Sequence, residues 1–439
     1  MSDTYQKNSI TLLSGISMGT GVMIGAGIFA LTGQIAELAG PWFPLSFIAG
    51  ALVTGFSAYT YVKMSNAYPS AGGIGMILQK AYGPGGVAAG AAVLMALSMV
   101  INESLVARTF GTYVLRPFDV DADSILAPVL GVGLIVFAFL LNVSGNRSVG
   151  LVSLIMAGLK IGGIAFFGAA ALWAGGFSFE PRAGGDDLPI TGFVASIALS
   201  ILAFKGFTTI TNSGAEMVDP HRNVGRAISV SILICVVVYL LVAFAVGSSL
   251  SIDEIIAAKD YALAEAAQPT LGSYGFYFTV ALAVLATASG LIASVFAVSR
   301  MLAMLTDMEM IPHSHFGMPG GIRDHTLVYT VVTAALLTVF FDLSRIASLG
   351  VFFYLVMDVC IHIGVYRWLR HDIGARGWVL LTAVVLDSVI LGTFAVMKWQ
   401  SDPLIVIVAI ASMAGVFAFQ RIYLHRWIGD SNASHHAGH

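Results

Sequence analysis

Apolar residues dominate this chain in long runs that are separated by short polar stretches. About 20 apolar residues in a helix cross the hydrocarbon core of a bilayer, and twelve runs approach or exceed that length. They cover approximately residues 10–39, 42–64, 86–113, 126–143, 149–174, 190–211, 227–248, 274–304, 326–341, 347–366, 377–397 and 404–426. The polar stretches between them are too short to hold a soluble domain. The pattern therefore predicts an all-α membrane protein with about twelve transmembrane helices.

The basic residues indicate an orientation for these helices. If the N-terminus lies in the cytoplasm, most of the 21 Lys and Arg residues fall at cytoplasmic ends of the predicted helices. An excess of Lys and Arg marks cytoplasmic loops. We therefore expect a multi-pass protein of the plasma membrane with an even number of crossings. Both termini, including a tail at 427–439, are expected to be cytoplasmic.

Composition excludes several classes of protein. Charged residues make up 10% of the chain and hydrophobic residues 57%, whereas soluble domains contain about 25% charged residues. The net charge of −3 and the lack of a basic block argue against binding of nucleic acid. Cys235 and Cys360 both lie in apolar runs, which does not suit a disulfide framework or a thiolate metal site. No catalytic motif was found, so we expect no enzyme, no cofactor and no metal.

Two of the runs contain helix-weakening residues near their centres. Gly25 and Gly27 interrupt the first run, and Lys205-Gly206 interrupts the sixth. A broken helix at membrane depth is tolerated only where protein, water or a ligand pairs the freed backbone groups. Interruptions at corresponding positions of two five-helix halves point to an inverted-repeat transporter with its site between them. Close helix packing through glycine is the alternative at each position.

Four stretches resemble the amino acid–polyamine–organocation (APC) superfamily of permeases. They are Gly21 to Phe29, Tyr68 to Gly73, Phe204 to Phe207 followed by Asp219 to Ile228, and Ser299-Arg300. This resemblance implies the LeuT-type fold, in which two five-helix repeats of opposite orientation are followed by two further helices. The corresponding parts of this chain are 10–174, 190–366 and 377–426.

The resemblance also implies a substrate site made mostly of backbone. Freed N–H groups of the first helix would hold a substrate carboxylate, at Gly25, Ala26, Gly27 and Ile28. Helix N-terminal N–H groups suit an anion. Freed carbonyls would accept the substrate ammonium, near Ile24 and at Leu202, Ala203 and Lys205. Such a site selects an L-amino acid without defining its side chain.

Side chains near the two breaks are candidates for selecting the substrate. Phe204 and Phe207 flank Gly206 and are candidate lids, with ordinary apolar packing as the alternative. Asn102 and Glu103 lie in the third run, where they line a vestibule or pair with a neighbouring helix. The Lys205 ammonium disfavours a cationic substrate if it points into the cavity, whereas only its carbonyl matters if it points outward. We therefore expect a neutral amino acid.

Lys160 lies deep in the fifth run, where an unpaired ammonium is costly. Some APC permeases have a lysine in the fifth helix that occupies the space of a sodium ion and bridges the first and eighth helices. The resemblance implies the same role here, with protonation in place of sodium binding. The expected partners are backbone carbonyls near Gly21 and a hydroxyl of Thr287 or Ser289. A structural ammonium and a lysine facing the pore are the alternatives.

Asp358 and His362 lie one helical turn apart in the tenth run. They could relay protons or simply satisfy each other. Asp387 lies in the eleventh run, outside the ten-helix core, where a subunit contact in a homodimer or a local hydrogen bond is expected.

These features together favour a proton-coupled secondary transporter of amino acids that works by alternating access. An amino acid exchanger on the same fold and a membrane sensor without transport are the competing functions.

Overall fold

The computed structural model describes residues 8–70, 72–120, 124–143, 146–174, 190–311 and 320–436. Nearly all of this backbone is helical. The helices are α1 (Leu12–Ala39), α2 (Phe43–Ala67), α3 (Gly73–Tyr82), α4 (Gly86–Leu115), α5 (Leu126–Val143), α6 (Asn146–Ala174), α7 (Ile190–Phe204), α8 (Thr208–Asn212), α9 (Pro220–Ser249), α10 (Ile252–Ala257), α11 (Ala262–Asp307), α12 (Ile322–Phe340), α13 (Leu343–Gly364), α14 (Gly377–Ser401) and α15 (Pro403–His436).

Each predicted apolar run lies on helical backbone, which confirms the all-α membrane fold. Nine helical stretches of the described chain are long and apolar enough to cross a membrane, and two shorter apolar stretches lie in α1 and α6. The sixth run comprises α7, a 3₁₀ turn at Lys205–Phe207 and α8. The eighth run lies in α11, which is divided at Gly272 by non-helical backbone (φ 63°, ψ −161°). The protein is therefore a multi-pass integral membrane protein.

The helices of the first half pack against their counterparts in the second. Contacts join α1 to α7, α2 to α9, α4 to α11 and α5 to α12. The contact of α1 with α9 is matched by that of α7 with α2, and the contact of α4 with α13 is matched by that of α11 with α6. These pairings agree with the expected two-fold relation between two five-helix halves. Helices α14 and α15 pack outside this arrangement, against α13 and α4 respectively.

Glycines allow α1 to approach both of its main neighbours closely. A Cβ added at Gly290 of α11 would lie 3.3 Å from the Cα of Gly25. A Cβ added at Gly206 would lie 2.7 Å from the backbone nitrogen of Met23. Small residues permit this kind of close helix packing in membranes. Helix α1 is thus held at the centre of the bundle, between α11 and the sixth run. The sixth run (α7, the 3₁₀ turn and α8) is called the sixth segment below.

Polar contacts tie down both ends of α1. At its N-terminal end, the backbone of Ile10 pairs with the segment before α9, through N–H and C=O bonds to Glu216 and Val218 of 3.0 and 2.9 Å. At its C-terminal end, the Lys259 ammonium donates to the Glu37 carboxylate at 2.7 Å, and the Gln34 amide donates to Asp260 at 2.8 Å.

Candidate functional site

The glycine-containing stretch of the first run is an intact helix. Helix α1 continues from Leu12 to Ala39, so the unwound break predicted at Gly25 to Gly27 is wrong. The N–H groups from Gly25 to Ile28 belong to the helix and are not freed for a carboxylate in this conformation. Each glycine weakens a helix by about 1 kcal/mol, but leaving backbone groups unpaired in an apolar surrounding costs several kcal/mol each. The intact helix therefore keeps these backbone groups paired.

The interruption predicted in the sixth run is present, and it takes the form of a tighter helix. Residues Lys205–Phe207 form a 3₁₀ turn, and the N–H of Thr208 reaches the carbonyls of both Lys205 and Gly206. A stretch of 3₁₀ helix within an α-helix has poorer hydrogen-bond geometry and often marks a hinge. Leu202 and Ala203 still lie on regular helix α7. The backbone carbonyls of this segment thus accept weaker hydrogen bonds after Phe204 than before it.

A tyrosine that the sequence analysis did not single out joins the two segments. The hydroxyl of Tyr239 in α9 lies 2.5 Å from the carbonyl oxygen of Met23 and 3.1 Å from that of Ala203. A tyrosine hydroxyl has one proton to donate, so the two carbonyls share it. Ala203 is one of the predicted ammonium acceptors, and Met23 precedes another. A buried tyrosine in an apolar run needs a hydrogen-bond partner, and this was the only signal of Tyr239 in the sequence.

Lys205 neither points outward to the membrane surface nor lies unpaired in a cavity. Its ammonium is buried and donates to the carbonyl and the hydroxyl of Ser98 in α4, at 2.7 and 2.8 Å. The Glu103 carboxylate, also in α4, interacts electrostatically with it and accepts from the hydroxyl of Ser294 at 3.2 Å. The ring of Tyr354 lies 5.8 Å from the ammonium. Lys205 and Glu103 are thus two buried ionisable groups beside the sixth segment, each with a hydrogen-bond partner among the described residues.

The two candidate lid residues are fully buried. Phe204 packs against Tyr239 with 4.9 Å between ring centroids, and Phe207 packs edge to face against Tyr61 at 5.2 Å. Asn102 is also buried, on α4. The structure therefore brings these residues to the region around α1 and the sixth segment, within a packed interior.

Lys160 joins α6 to α1 by a hydrogen bond, at a point where α11 lies close to α1. Its side chain is 2% exposed, and its ammonium donates to the carbonyl of Gly21 in α1 at 3.0 Å. The same carbonyl lies 3.5 Å from the Cβ position of Gly290 in α11. The expected contact with Gly21 is thus present. The hydroxyls of Thr287 and Ser289 instead donate to carbonyls of their own helix, and no bond from Lys160 to either is found among the described residues.

Asp358 and His362 meet a third titratable side chain. His362 Nε2 lies 3.5 Å from Asp358 Oδ1 and 3.5 Å from Asp387 Oδ2. The hydroxyls of Ser57 and Tyr61 donate to the two oxygens of Asp358 at 2.7 and 2.5 Å. Asp387 of α14 is completely buried against α13 within one chain, so of the two expectations a subunit contact does not fit, and the local one takes the form of this approach to His362. Sequence spacing could pair Asp358 with His362, but it carried no information on the helix that faces them.

The apolar helical bundle with buried lysines and carboxyl groups is an integral membrane protein. The chain belongs to the amino acid permease family, whose sequence pattern matches residues 10–419. It is 29% identical to the inner membrane transport protein YbaT of Escherichia coli, over 91% of this chain and 92% of that protein. It is 27% identical to an uncharacterized protein of Methanocaldococcus jannaschii over 95% and 96%, and 26% identical to the serine/threonine exchanger SteT of Bacillus subtilis over 62% of each chain.

These similarities support amino acid transport as the general function. The family and its relatives are permeases and exchangers rather than enzymes.

Proposed function

We propose that this protein is a proton-coupled secondary transporter of neutral amino acids. The observation that carries the proposal is the contact of the buried Lys160 ammonium with the carbonyl of Gly21. A protonated amine is a charged donor, and hydrogen bonds to charged groups contribute about 1.5–3 kcal/mol. A neutral amine loses most of that strength. Proton release from Lys160 therefore loosens α1 from α6, and proton uptake fastens it again.

The substrate site in this proposal lies between α1 and the sixth segment. The substrate carboxylate binds to backbone N–H groups of Gly25 to Ile28 when that stretch opens, and the ammonium binds to carbonyls at Ile24, Leu202, Ala203 and Lys205. Gly25 and Gly27 lower the free energy needed to open α1. The 3₁₀ turn at Lys205–Phe207 is the corresponding weak point of the sixth segment. The hydroxyl of Tyr239 occupies two carbonyls of this region in the closed conformation. A substrate ammonium replaces it there.

The charges beside the site favour a neutral side chain. Lys205 repels a cationic side chain, and Glu103 offsets its attraction for an acidic one. Two relatives carry names of the same class, a serine/threonine exchanger of Bacillus subtilis and a branched-chain amino acid permease of Lactococcus lactis. Several cationic amino acid transporters of Arabidopsis thaliana are also similar to this chain, so a cationic substrate is the outcome that would contradict this part of the proposal.

Alternating access completes the proposed cycle. One group of helices rocks against the other and exposes the site to each side of the membrane in turn. We place both termini in the cytoplasm and the protein in the plasma membrane, from the distribution of Lys and Arg along the chain.

The experiment is counterflow in proteoliposomes preloaded with single amino acids, followed by net uptake of the best substrate with and without an inward proton gradient. We expect accumulation that requires the gradient and depends on pH. Lys160→Ala is expected to retain counterflow and to lose the pH dependence and at least tenfold of the gradient-driven accumulation. Lys80→Ala, a change at an exposed lysine of α3, is the matched control and should behave like the wild type.

Exchange is the second candidate function, because one relative is named an exchanger. It predicts counterflow without accumulation under any proton gradient. Binding without flux would instead identify a sensor. Unchanged pH dependence in Lys160→Ala would contradict the role of Lys160 in either transport mode.

A further inference from the structure

Asp358, His362 and Asp387 meet in a closed space between α2, α13 and α14. All three side chains are 0% exposed. One imidazole nitrogen of His362 and one carboxyl oxygen of each aspartate lie within 4.8 Å of one another. This space lies apart from the Lys160–Gly21 contact, since Lys160 is on α6 and packs against α1.

The two carboxyl groups have different surroundings. Asp358 accepts a hydrogen bond from the Ser57 hydroxyl at one carboxyl oxygen and from the Tyr61 hydroxyl at the other. Neither oxygen of Asp387 has a hydrogen-bond partner among the described residues, and His362 Nε2 has none there either. Burial of a carboxylate without donors costs far more than burial of the neutral acid. The site thus has one carboxyl group that accepts two hydrogen bonds and one that accepts none among the described residues.

No other charge in the described chain offsets these two carboxylates. The groups that face them are Tyr61 of α2, Tyr354 of α13 and His362 itself. No lysine or arginine of the described residues lies within ion-pair distance of Asp358 or Asp387. With both ionised and His362 neutral, the closed space would hold two negative charges about 5 Å apart at most, which is unfavourable in a low dielectric. Uptake of one proton would remove one of these two charges.

We propose that Asp387, His362 and Asp358 form a proton-binding site, in which Asp387 is the protonated acid. His362 Nδ1 lies 2.8 Å from the hydroxyl oxygen of Thr60, so with its ring proton on Nδ1 the lone pair of Nε2 points into the site. The Asp387 O–H then donates toward Nε2 after a small rotation of the carboxyl group. One proton enters from water and no other bond changes.

The site is connected to the centre of the bundle through Tyr61. The Tyr61 hydroxyl donates to Asp358, and its ring packs on Phe207 in the 3₁₀ turn of the sixth segment. Loss of the proton from Asp387 leaves two carboxylates together and pushes α14 away from α13. The protonation state of this site is thus coupled by contact to the segment that also carries Lys205.

Infrared difference spectra of the purified full-length protein test the proposal. The spectrum of the wild-type protein minus that of the Asp387→Asn variant should show the C=O band of a protonated carboxylic acid at neutral pH. This band should shift to lower frequency in D₂O. Asp253→Asn, at an exposed acid of α10, should show no such band. Lys160→Ala should keep the band, so failure of the proposed transport mechanism and failure of this site are distinguishable. Asp387→Asn should also keep the melting temperature of the wild type, because the amide resembles the neutral acid.

Two results would overturn the proposal. The first is the absence of the band from the wild-type difference spectrum, which would mean that Asp387 is ionised. The second is one equivalent of a metal ion in elemental analysis that disappears in Asp387→Asn, since an imidazole and two carboxylates also suit zinc. If Asp387→Asn does not fold, His362→Gln replaces it: the band must remain and change in frequency, and an unchanged band would overturn the contact with Nε2.

Discussion

Tyr239 bonds to carbonyl groups on two different membrane segments, at Met23 of α1 and Ala203 of α7. Removal of the hydroxyl leaves these oxygens with their helical partners only. We expect Tyr239→Phe to lower the free energy of unfolding by about 1–2 kcal/mol, because each net hydrogen bond contributes about 0.5–1.5 kcal/mol. Thermal unfolding in detergent measures the change. Tyr277→Phe, at an exposed ring of α11, is the control.

A second effect of Tyr239→Phe separates its role in closing the site from a purely structural one. If the hydroxyl competes with the substrate ammonium, the variant binds the substrate at lower concentration, and the KM of counterflow decreases. An unchanged or higher KM at normal folding would contradict that competition.

At the level of the helix, α1 shows that glycine in a membrane run has two uses. Gly27 faces α7 so closely that an added Cβ would lie 2.8 Å from the carbonyl oxygen of Ala203 and would also collide with the Tyr239 hydroxyl. Gly27 therefore serves close packing of α1 against α7. In the function proposed above, the same residue makes local unwinding of α1 easier when a substrate binds.

The effect of an added methyl group tests this packing. We expect Gly27→Ala to destabilise the protein by about 1–3 kcal/mol, as overpacking of a filled interior does. Gly392→Ala in α14, where nothing lies near the added Cβ, should be neutral or stabilise by up to about 1 kcal/mol. Thermal unfolding of the two variants gives the comparison. Equal melting temperatures for both would show that α1 does not pack on α7 as the structure has it.

At the level of the whole molecule, ion pairs hold the bundle closed at both ends. Arg300 of α11 pairs with Glu216, before α9, and Glu216 also bonds through its backbone to Ile10. At the opposite end, Arg116 pairs with Glu265 at 2.7 Å. In the proposed alternating-access cycle, these two sets of contacts open in turn.

Hydrogen exchange measures which end opens when one pair is weakened. We expect Glu216→Gln to speed amide exchange in residues 8–19 and 213–219 by about tenfold, because loss of a charged hydrogen-bond partner costs at least about 1.4 kcal/mol of local stability. Glu265→Gln is the matched variant and should speed exchange at 112–120 and 258–266 instead. Faster exchange at both ends in either variant would contradict independent closure of the two ends.

The sequence by itself determined the helical spans, the weak point at Lys205-Gly206 and the need of the buried Lys160 for an acceptor. Hydrocarbon thickness fixes how many apolar residues a crossing needs, and a buried ammonium must find an acceptor. Both are local requirements that a single run displays, and the family resemblance added which helices Lys160 lies between.

Only the tertiary structure decided that α1 stays helical, that Lys205 turns to Ser98, that Tyr239 joins α1 to α7, and that Asp387 faces His362. The rotation of each helix about its axis and its depth relative to its neighbours select these partners. Hydropathy leaves both undetermined in a helix that is apolar on all sides. Packing of helices far apart in the sequence sets them, because the close contacts at Gly25, Gly27 and Gly290 admit few other arrangements.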